Sequence, residues 1–428
     1  MMKVCMIVHQ YYHRDGRVRR YAEALVGAGA EVDVICPKDE NHPSMRQLAG
    51  VRIFPIPLGR GYKNQGSYLI EYGLALILFT VRLLGLYLKN RYDVIHVHNV
   101  PDFLIFAALL PRLLGAKLIL DIHDPMPEFY MSKYDSQKSS LTVKVMRLQE
   151  KYSAKLAHAV ITANSNFKDN LVKRGVPADK ITVVYNMADP KVFNRLAYQQ
   201  YRHHKSEHFT LIYPGTIAPR YGLDVAIRAL PLLIKKIPNL RLVIIGHRTD
   251  CVNDLEALAK QLNVSSFVEF RPLIPIHEVP KQMIQADIGV YPALSDPHMD
   301  IATPTKVLEF ALMGIPIVAA KLKVLEDMFS DEAVFFFEPG NSTEFAACIL
   351  ELFGNPARRE TLVQNADRIF VNSHSWRSER DKYFNKLNDL LTTKNKGIVW
   401  GNSDQKPPSV KETYPSKTVK GKIYNDYH

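Results

Sequence analysis

The sequence predicts an α/β protein made of two doubly wound, mainly parallel sheets in tandem, and three observations predict it. Short β-branched runs alternate with segments of helical periodicity along most of the chain, a rhythm that places helices on both faces of a parallel sheet. The rhythm breaks once, between Asn186 and His208, and then restarts. With 428 residues, 47% of them apolar, the chain is long enough to bury two cores.

Taken in order, candidate strands at Lys3–Val8, Glu31–Cys36, Val51–Pro55, Asp93–Val97, Lys117–Asp121, Ala159–Ala163 and Ile181–Tyr185 make the first sheet. Between the first two, Val18, Tyr21, Ala22 and Leu25 recur at helical spacing, and Gly27 and Gly29 stop the helix. The stretch from Asn186 to His208 carries Asp189-Pro190 and no periodicity, which marks a domain boundary. Strands resume at Phe209–Tyr213 and recur at Leu240–Ile245, Val268–Phe270, Ile288–Tyr291, Pro316–Ala319 and Ala333–Phe337. An amphipathic helix from Ser375 to Leu391 carries Trp376, Tyr383, Phe384 and Leu387. The expected organisation is a first domain over 1–190, a second over 191–374, a closing helix over 375–392 and a disordered basic tail over 393–428. Ligands of such folds bind at the carboxyl ends of the strands.

Composition narrows the function classes. Cys5, Cys36, Cys251 and Cys348 are far apart, so neither a thiolate metal site nor a redox pair is expected; reduced thiols in a cytoplasmic protein are. The net charge of +12 is uneven: residues 1–200 hold 27 Lys+Arg against 17 Asp+Glu, whereas residues 201–428 hold 28 against 26. A basic first half attracts an anionic partner, whether nucleic acid, anionic lipid or substrate, or is simply a solvated surface. Lys3–Val8 is too short for a signal core and reads as a buried strand. Tyr68–Leu88 is long enough to span a bilayer, but Glu71 and Arg82 interrupt it. A span would also separate the strands at Lys3–Val8 and Asp93–Val97, so a core helix or an interfacial helix is the expectation.

Three segments carry chemistry. Tyr213 to Asp224 follows a strand and opens a helix; small residues there let backbone N–H groups approach a phosphate, and Arg220 adds charge-assisted hydrogen bonds. Thr303 to Val318 reads as loop, helix from about Thr305, terminating Gly314 and buried strand. Lys306 lies at that helix start, a poor place for a cation unless an anion binds there too. Glu309, one turn later, is suited to accept two hydroxyl hydrogen bonds, as from a ribose. Asp121 to Glu128 follows a first-domain strand, and its histidine and carboxylates suit acid–base work or the orientation of a polar acceptor. Each segment also has a plainer reading as an ordinary loop or solvated helix face. His96 and His98 point to one face of a strand, but with no carboxylate nearby in sequence to complete a ligand set, no metal site is expected.

Together these residues resemble the family 4 glycosyltransferases, retaining enzymes of the GT-B fold, over nearly the whole length up to about Leu391. The parts fall in the family's order: Asp15 to Arg20, Val94 to His98, Asp121 to Glu128, Val183 to Asn186, Gly215 to Asp224, Pro304 to Pro316, and Ser375-Trp376 opening the last helix. The resemblance implies two Rossmann-like doubly wound domains facing a cleft. It also implies that Gly215, Thr216, Arg220, Lys306 and the amides around Thr305 meet the diphosphate of a sugar-nucleotide donor, with Glu309 on its ribose. His123 would lie near the donor sugar, and Asp124 and Glu128 on the acceptor side. No cofactor or metal is implied; positive groups and helix N-termini stabilise the leaving diphosphate. The sequence resembles a subgroup with a Pro-Thr-Lys element. Where the commoner pattern has a Glu eight residues before Glu309, this chain has Ile301, with Asp300 one place back, and Thr216 and Tyr221 replace the usual Arg and Lys of the phosphate loop.

The expected function is therefore transfer of a sugar to a saccharide or lipid-linked acceptor in polysaccharide or glycoconjugate biosynthesis, with peripheral contact to the cytoplasmic face of an anionic membrane. A sugar-nucleotide 2-epimerase shares the fold and is the alternative. A noncatalytic nucleic-acid-binding protein is disfavoured because no aromatic and basic residues interleave on one face. A dinucleotide oxidoreductase is disfavoured because no Gly-x-Gly-x-x-Gly follows the first strand of either domain.

Overall fold

The computed structural model describes residues 1–39, 42, 45–58, 65–134, 140–202, 207–371 and 375–392. The Lys-rich tail expected to be disordered lies outside the described residues. The chain divides into two units: Met1–Tyr185 with the segment from Glu379 onward, and Asn186–Ser378.

The first unit is built on an eight-stranded sheet: β1 (Lys3–Val8), β2 (Glu31–Pro37), β3 (Gln47–Leu48), β4 (Val51–Ile56), β5 (Val94–His98), β6 (Lys117–Ile122), β7 (Ala159–Thr162) and β8 (Ile181–Val183). Its order is β3-β4-β2-β1-β5-β6-β7-β8, parallel throughout except for β3, a two-residue antiparallel edge too short to register in hydropathy. Val4 to Val8 are at most 2% exposed, as expected of a central strand covered on both faces. Its helices are α1 (Gly16–Gly27), α2 (Gln65–Asn90), a 3₁₀ segment (Asp102–Ala108) running into α3 (Leu109–Leu113), α4 (Met126–Tyr134), α5 (Leu141–Leu156) and α6 (Ser165–Lys173). Asp15 caps α1 by accepting from the Val18 amide at 2.9 Å.

The second unit carries β9 (Phe209–Pro214), β10 (Leu240–Ile245), β11 (Val268–Arg271), β12 (Ile288–Tyr291), β13 (Ile317–Ala320) and β14 (Phe335–Phe337), in the all-parallel order β11-β10-β9-β12-β13-β14. Its helices are α7 (Leu223–Leu233), α8 (Asp250–Gln261), α9 (Val279–Met283), α10 (Thr305–Met313), α11 (Lys323–Met328), α12 (Ser342–Gly354) and α13 (Pro356–Ala366). Gly289 in β12 lets α10 settle directly on the sheet, since a Cβ there would lie 2.6 Å from the Phe310 ring. Gly314 ends α10 in the left-handed region at φ 64°.

The last helix, α14 (Trp376–Thr392), supplies Glu379 and Tyr383 to the first unit. The Glu379 carboxylate accepts from the Tyr185 amide at 2.9 Å, and Tyr383 is fully buried.

The long apolar helix α2 is neither a span nor a simple core helix. β1, which precedes it, pairs with β5, which follows it, in register Val4↔Val94, so the helix does not separate them. One face, with Ala75, Phe79 and Leu83, is fully buried, while Ile77 and Val81 on the other are 60% and 66% exposed.

Candidate functional site

In the second unit the strand order reverses between β9 and β12, and the loops leaving these two strands meet beside that switch point, where open α/β sheets bind ligands. The Leu294 amide donates to the Arg220 carbonyl at 2.9 Å. Gly222, at φ 59°, comes so close to the Pro292 carbonyl that a Cβ there would overlap it. Gly215 stands at φ 154°, and a Cβ on it would overlap the side chain of Lys306. Two segments ninety residues apart in sequence are thus brought together, with bare backbone under a lysine stem.

Lys306 leaves the first turn of α10, whose N-cap is Pro304, with no side-chain cap. Its ammonium lies 5.0 Å from the Tyr221 ring centroid and 5.7 Å from that of Tyr213. The Arg220 guanidinium stands 5.8 Å from the same Tyr221 ring. Two cations around one ring at the positive end of a helix repel each other and the helix dipole, so an anion bound among them relieves both. Glu309 follows Lys306 by one turn, half-buried like Thr305 and Thr216. The Thr216 carbonyl accepts from the Tyr213 hydroxyl at 2.8 Å, fixing the loop from below. Asp300 accepts from the Ser295 hydroxyl at 2.9 Å, so that carboxylate is held within its own loop.

The first unit gathers a different set. Arg17, at the start of α1, makes two 2.9 Å hydrogen bonds to the two oxygens of Asp121 in β6 and a third, at 3.0 Å, to the Val184 carbonyl. The strand register sets His98 beside Asp121, with Nδ1 3.0 Å from the carboxylate, and His123 Nδ1 lies 3.4 Å from it. Burial alone would raise the Asp121 pKa; the Arg17 guanidinium and the histidines hold it well below the usual carboxylate range. Burial lowers the pKa of His98 and, with His98 beside it, pushes that of His96 well down. His123 goes the other way: burial opposes its charge, but the Asp121 carboxylate wins and raises its pKa. His96 Nδ1 meets the Tyr383 hydroxyl at 3.1 Å.

The structure corrects one expectation. Asp121 does complete a set with His96 and His98 whose ligand atoms lie within 4.8 Å of one another. Both oxygens are already engaged by the Arg17 guanidinium, however, so a divalent ion there would have to share the carboxylate with that fixed cation. At His13, Asp39 and His42, likewise, both rings address one carboxylate oxygen, at 3.2 and 3.0 Å.

Asn99 organises the loop that bears His123. Its side-chain oxygen accepts from the His123 and Asp124 amides at 3.1 and 3.3 Å, and its amide donates to the Asp124 carbonyl and to Asp102. Burial pushes the Asp102 carboxyl up to about 6. Asp124 is half-exposed, whereas Glu128 is buried in an ion pair with Arg174, which also binds Glu150 at 2.8 Å. Asn99 and Arg17, the partner of Asp121, were not among the expected site residues, and no local signal in the sequence pairs them with that segment.

Residues 16–187 match the model of the glycosyl transferase 4-like domain and residues 195–369 that of the glycosyl transferases group 1. An uncharacterized glycosyltransferase of Methanocaldococcus jannaschii is 24% identical, over 88% of this chain and 95% of the relative. Among solved structures, sucrose-phosphate synthase from Thermosynechococcus elongatus is similar with TM-score 0.75 and 18% identity, over 92% of this chain and all of that one. Anabaena HepE in complex with UDP-glucose is similar with TM-score 0.65 and 16% identity, over 91% of this chain and all of that one. These are GT-B glycosyltransferase structures, and the present two parallel-sheet units share their fold.

Proposed function

Since the chain belongs to the family 4-type glycosyltransferases, we propose that it moves a hexosyl group, with retention, from a nucleoside-diphosphate sugar to a saccharide or lipid-linked acceptor. We place the reaction at the cytoplasmic face of a membrane. One observation carries the donor half of this reading: Lys306 lies over the bare backbone of Gly215 at the uncapped start of α10, beside Arg220. Backbone amides, two cations and a helix N-terminus are what a diphosphate needs, and Glu309 one turn on suits the ribose hydroxyls. HepE, with its UDP-glucose, supports a uridine nucleotide as the first donor to try.

In this reading Lys306 and Arg220 stabilise the diphosphate as it takes on charge, in place of a divalent cation. The departing diphosphate helps remove the acceptor proton on the same face of the sugar. In the first unit, His123, on the loop held by Asn99, and Asp124 are the candidates for hydrogen bonds to sugar hydroxyls.

Nucleotide sugars are screened for thermal stabilisation, where a ligand at about 100 times its dissociation constant adds about 2.7 kcal/mol. The stabilising donor, isotopically labelled, is then incubated with acceptors in EDTA. An α-linked product from an α-donor supports the proposal. An epimerised sugar and no glycoside identifies a 2-epimerase instead, and dependence on added metal refutes the role given to Lys306 and Arg220.

A further inference from the structure

The two helical layers of the first unit differ in what they turn outward. α1 and α14 present no large exposed apolar residue among those described. The layer of α2, the 3₁₀ segment with α3, and α5 does the opposite. Its inner sides meet in one core cluster through Phe79, Leu83, Leu104 and Ala154. Its outer sides expose Leu74, Ile77, Val81 and Leu88 on α2 at 46–66%. The neighbouring Leu110 and Leu113 are 48% and 70% exposed, and on α5 Leu141, Val145, Leu148 and Tyr152 range from 53% to 77%. The 3₁₀ segment packs against both α2 and α5, so these residues form one continuous face. A groove of about 670 Å³ runs along it, with Phe106, Val145, Leu148 and Tyr152 in its walls and Arg112 and Lys155 at its rim.

Among the described residues of these helices, the exposed charges have one sign. Arg82, Lys89, Lys144, Lys151 and Lys155 are exposed. The acids of the same elements turn inward: Asp102 and Glu150 are fully buried, and Glu71 lies 3.8 Å from His9. A contiguous exposed apolar ridge of this kind marks an interaction surface. Apolar side chains framed by the cations of these helices match the two zones of an anionic membrane surface, acyl chains beneath acidic headgroups.

We propose that this face seats the protein on an anionic phospholipid bilayer by shallow insertion of the α2, α3 and α5 side chains, with the lysines and arginines on the headgroups. The inference sharpens the membrane location proposed above and rests on it only for its biological setting, since vesicle binding and sugar transfer can fail independently. In it, apolar contact holds the protein after charge has attracted it.

The test is co-sedimentation of the full chain with vesicles of phosphatidylcholine alone and of phosphatidylcholine with phosphatidylglycerol. Binding to the anionic vesicles is expected, with a fraction retained at 1 M salt, where charge is screened beyond about 3 Å. Ile77→Asp with Val81→Asp, and separately Leu148→Asp with Tyr152→Asp, should each lower partitioning at least about tenfold. All four positions are exposed, so the variants keep the wild-type far-UV circular dichroism and the thermal shift produced by donor nucleotide in the second unit. Failure to bind anionic vesicles, or equal binding by the variants, overturns the proposal. So does retention through an alkaline carbonate wash, which means a span, or a dimer in sedimentation velocity that the same substitutions dissolve, which means a second copy covers the face.

Discussion

The two units build their sites by opposite means. In the second, the chemistry comes from two short continuous segments, Gly215–Gly222 and Pro304–Glu309, that open helices after neighbouring strands. In the first, it comes from side chains far apart in sequence: Arg17 reaches Asp121 across 104 residues and His96 reaches Tyr383 across 287. A locally built site can lose one side chain and stay folded, because helix and loop are held by their own backbone bonds. A site built from long-range buried charges cannot, because each partner is the other's solvation.

The largest effect expected from that contrast is on stability in the first unit. Asp121→Ala leaves Arg17, 6% exposed, without its carboxylate and should cost about 3–5 kcal/mol in urea unfolding. Asp121 is held far below its ordinary pKa, so its contribution is present above the ordinary carboxylate range and is lost as pH falls through the depressed value. The gap between wild type and Asp121→Ala should therefore widen as pH falls from about 9 toward about 6, where the charged His123 ring also depends on Asp121, and close only in strong acid. A loss below 1 kcal/mol would put the first-unit cluster on the same footing as the second.

Lys306→Ala should do the reverse, lowering transfer about a hundredfold, or about 3 kcal/mol of transition-state energy, while leaving unfolding nearly unchanged. Arg220→Ala should behave similarly, and wild-type turnover in both would move the diphosphate site elsewhere. The same contrast explains what was legible beforehand. The helix from Thr305 to the Gly314 stop could be read because start, apolar face and stop are local signals, and the parallel strands because buried β-branched runs are. The Arg17–Asp121–His98 hub could not be read, since nothing local says that His98 in β5 lies beside Asp121 in β6. Glu128 illustrates the same limit: its partner Arg174 is 46 residues away. The α2 helix was ambiguous because hydropathy sums both faces, and only the fold shows which one is covered.

A tenfold effect is expected at Glu309. Glu309→Gln keeps size and one acceptor oxygen but loses the charge, and a hydrogen bond to a charged group is worth about 1.5–3 kcal/mol. Donor affinity measured calorimetrically should weaken at least about tenfold. A donor lacking the ribose hydroxyls should hurt the wild type much more than the mutant, because the contact is already damaged there. Equal losses in both proteins would mean that Glu309 does not hold the ribose, and the second unit would lose its local account.

The smallest expected effect tests whether the first-unit hub reaches as far as His123, whose ring is 15% exposed. Its pKa is raised because, against the cost of burial, the Asp121 carboxylate favours the charged ring. A raised folded pKa contributes stability that is fully present below the ordinary histidine value, about 6.5, and is lost as pH rises through the folded value. His123→Gln keeps a hydrogen-bonding side chain without the charge. Wild type should therefore be the more stable of the two near pH 6, and its advantage should shrink steadily toward pH 9. In the Asp121→Ala background the burial that opposes the charged ring is no longer outweighed by that carboxylate, so the advantage of His123 over Gln near pH 6 should be lost or reversed. If the stability difference stays flat with pH in the wild-type background, the Asp121 carboxylate serves Arg17 and His98 alone, and His123 is oriented only by the Asn99-bound loop.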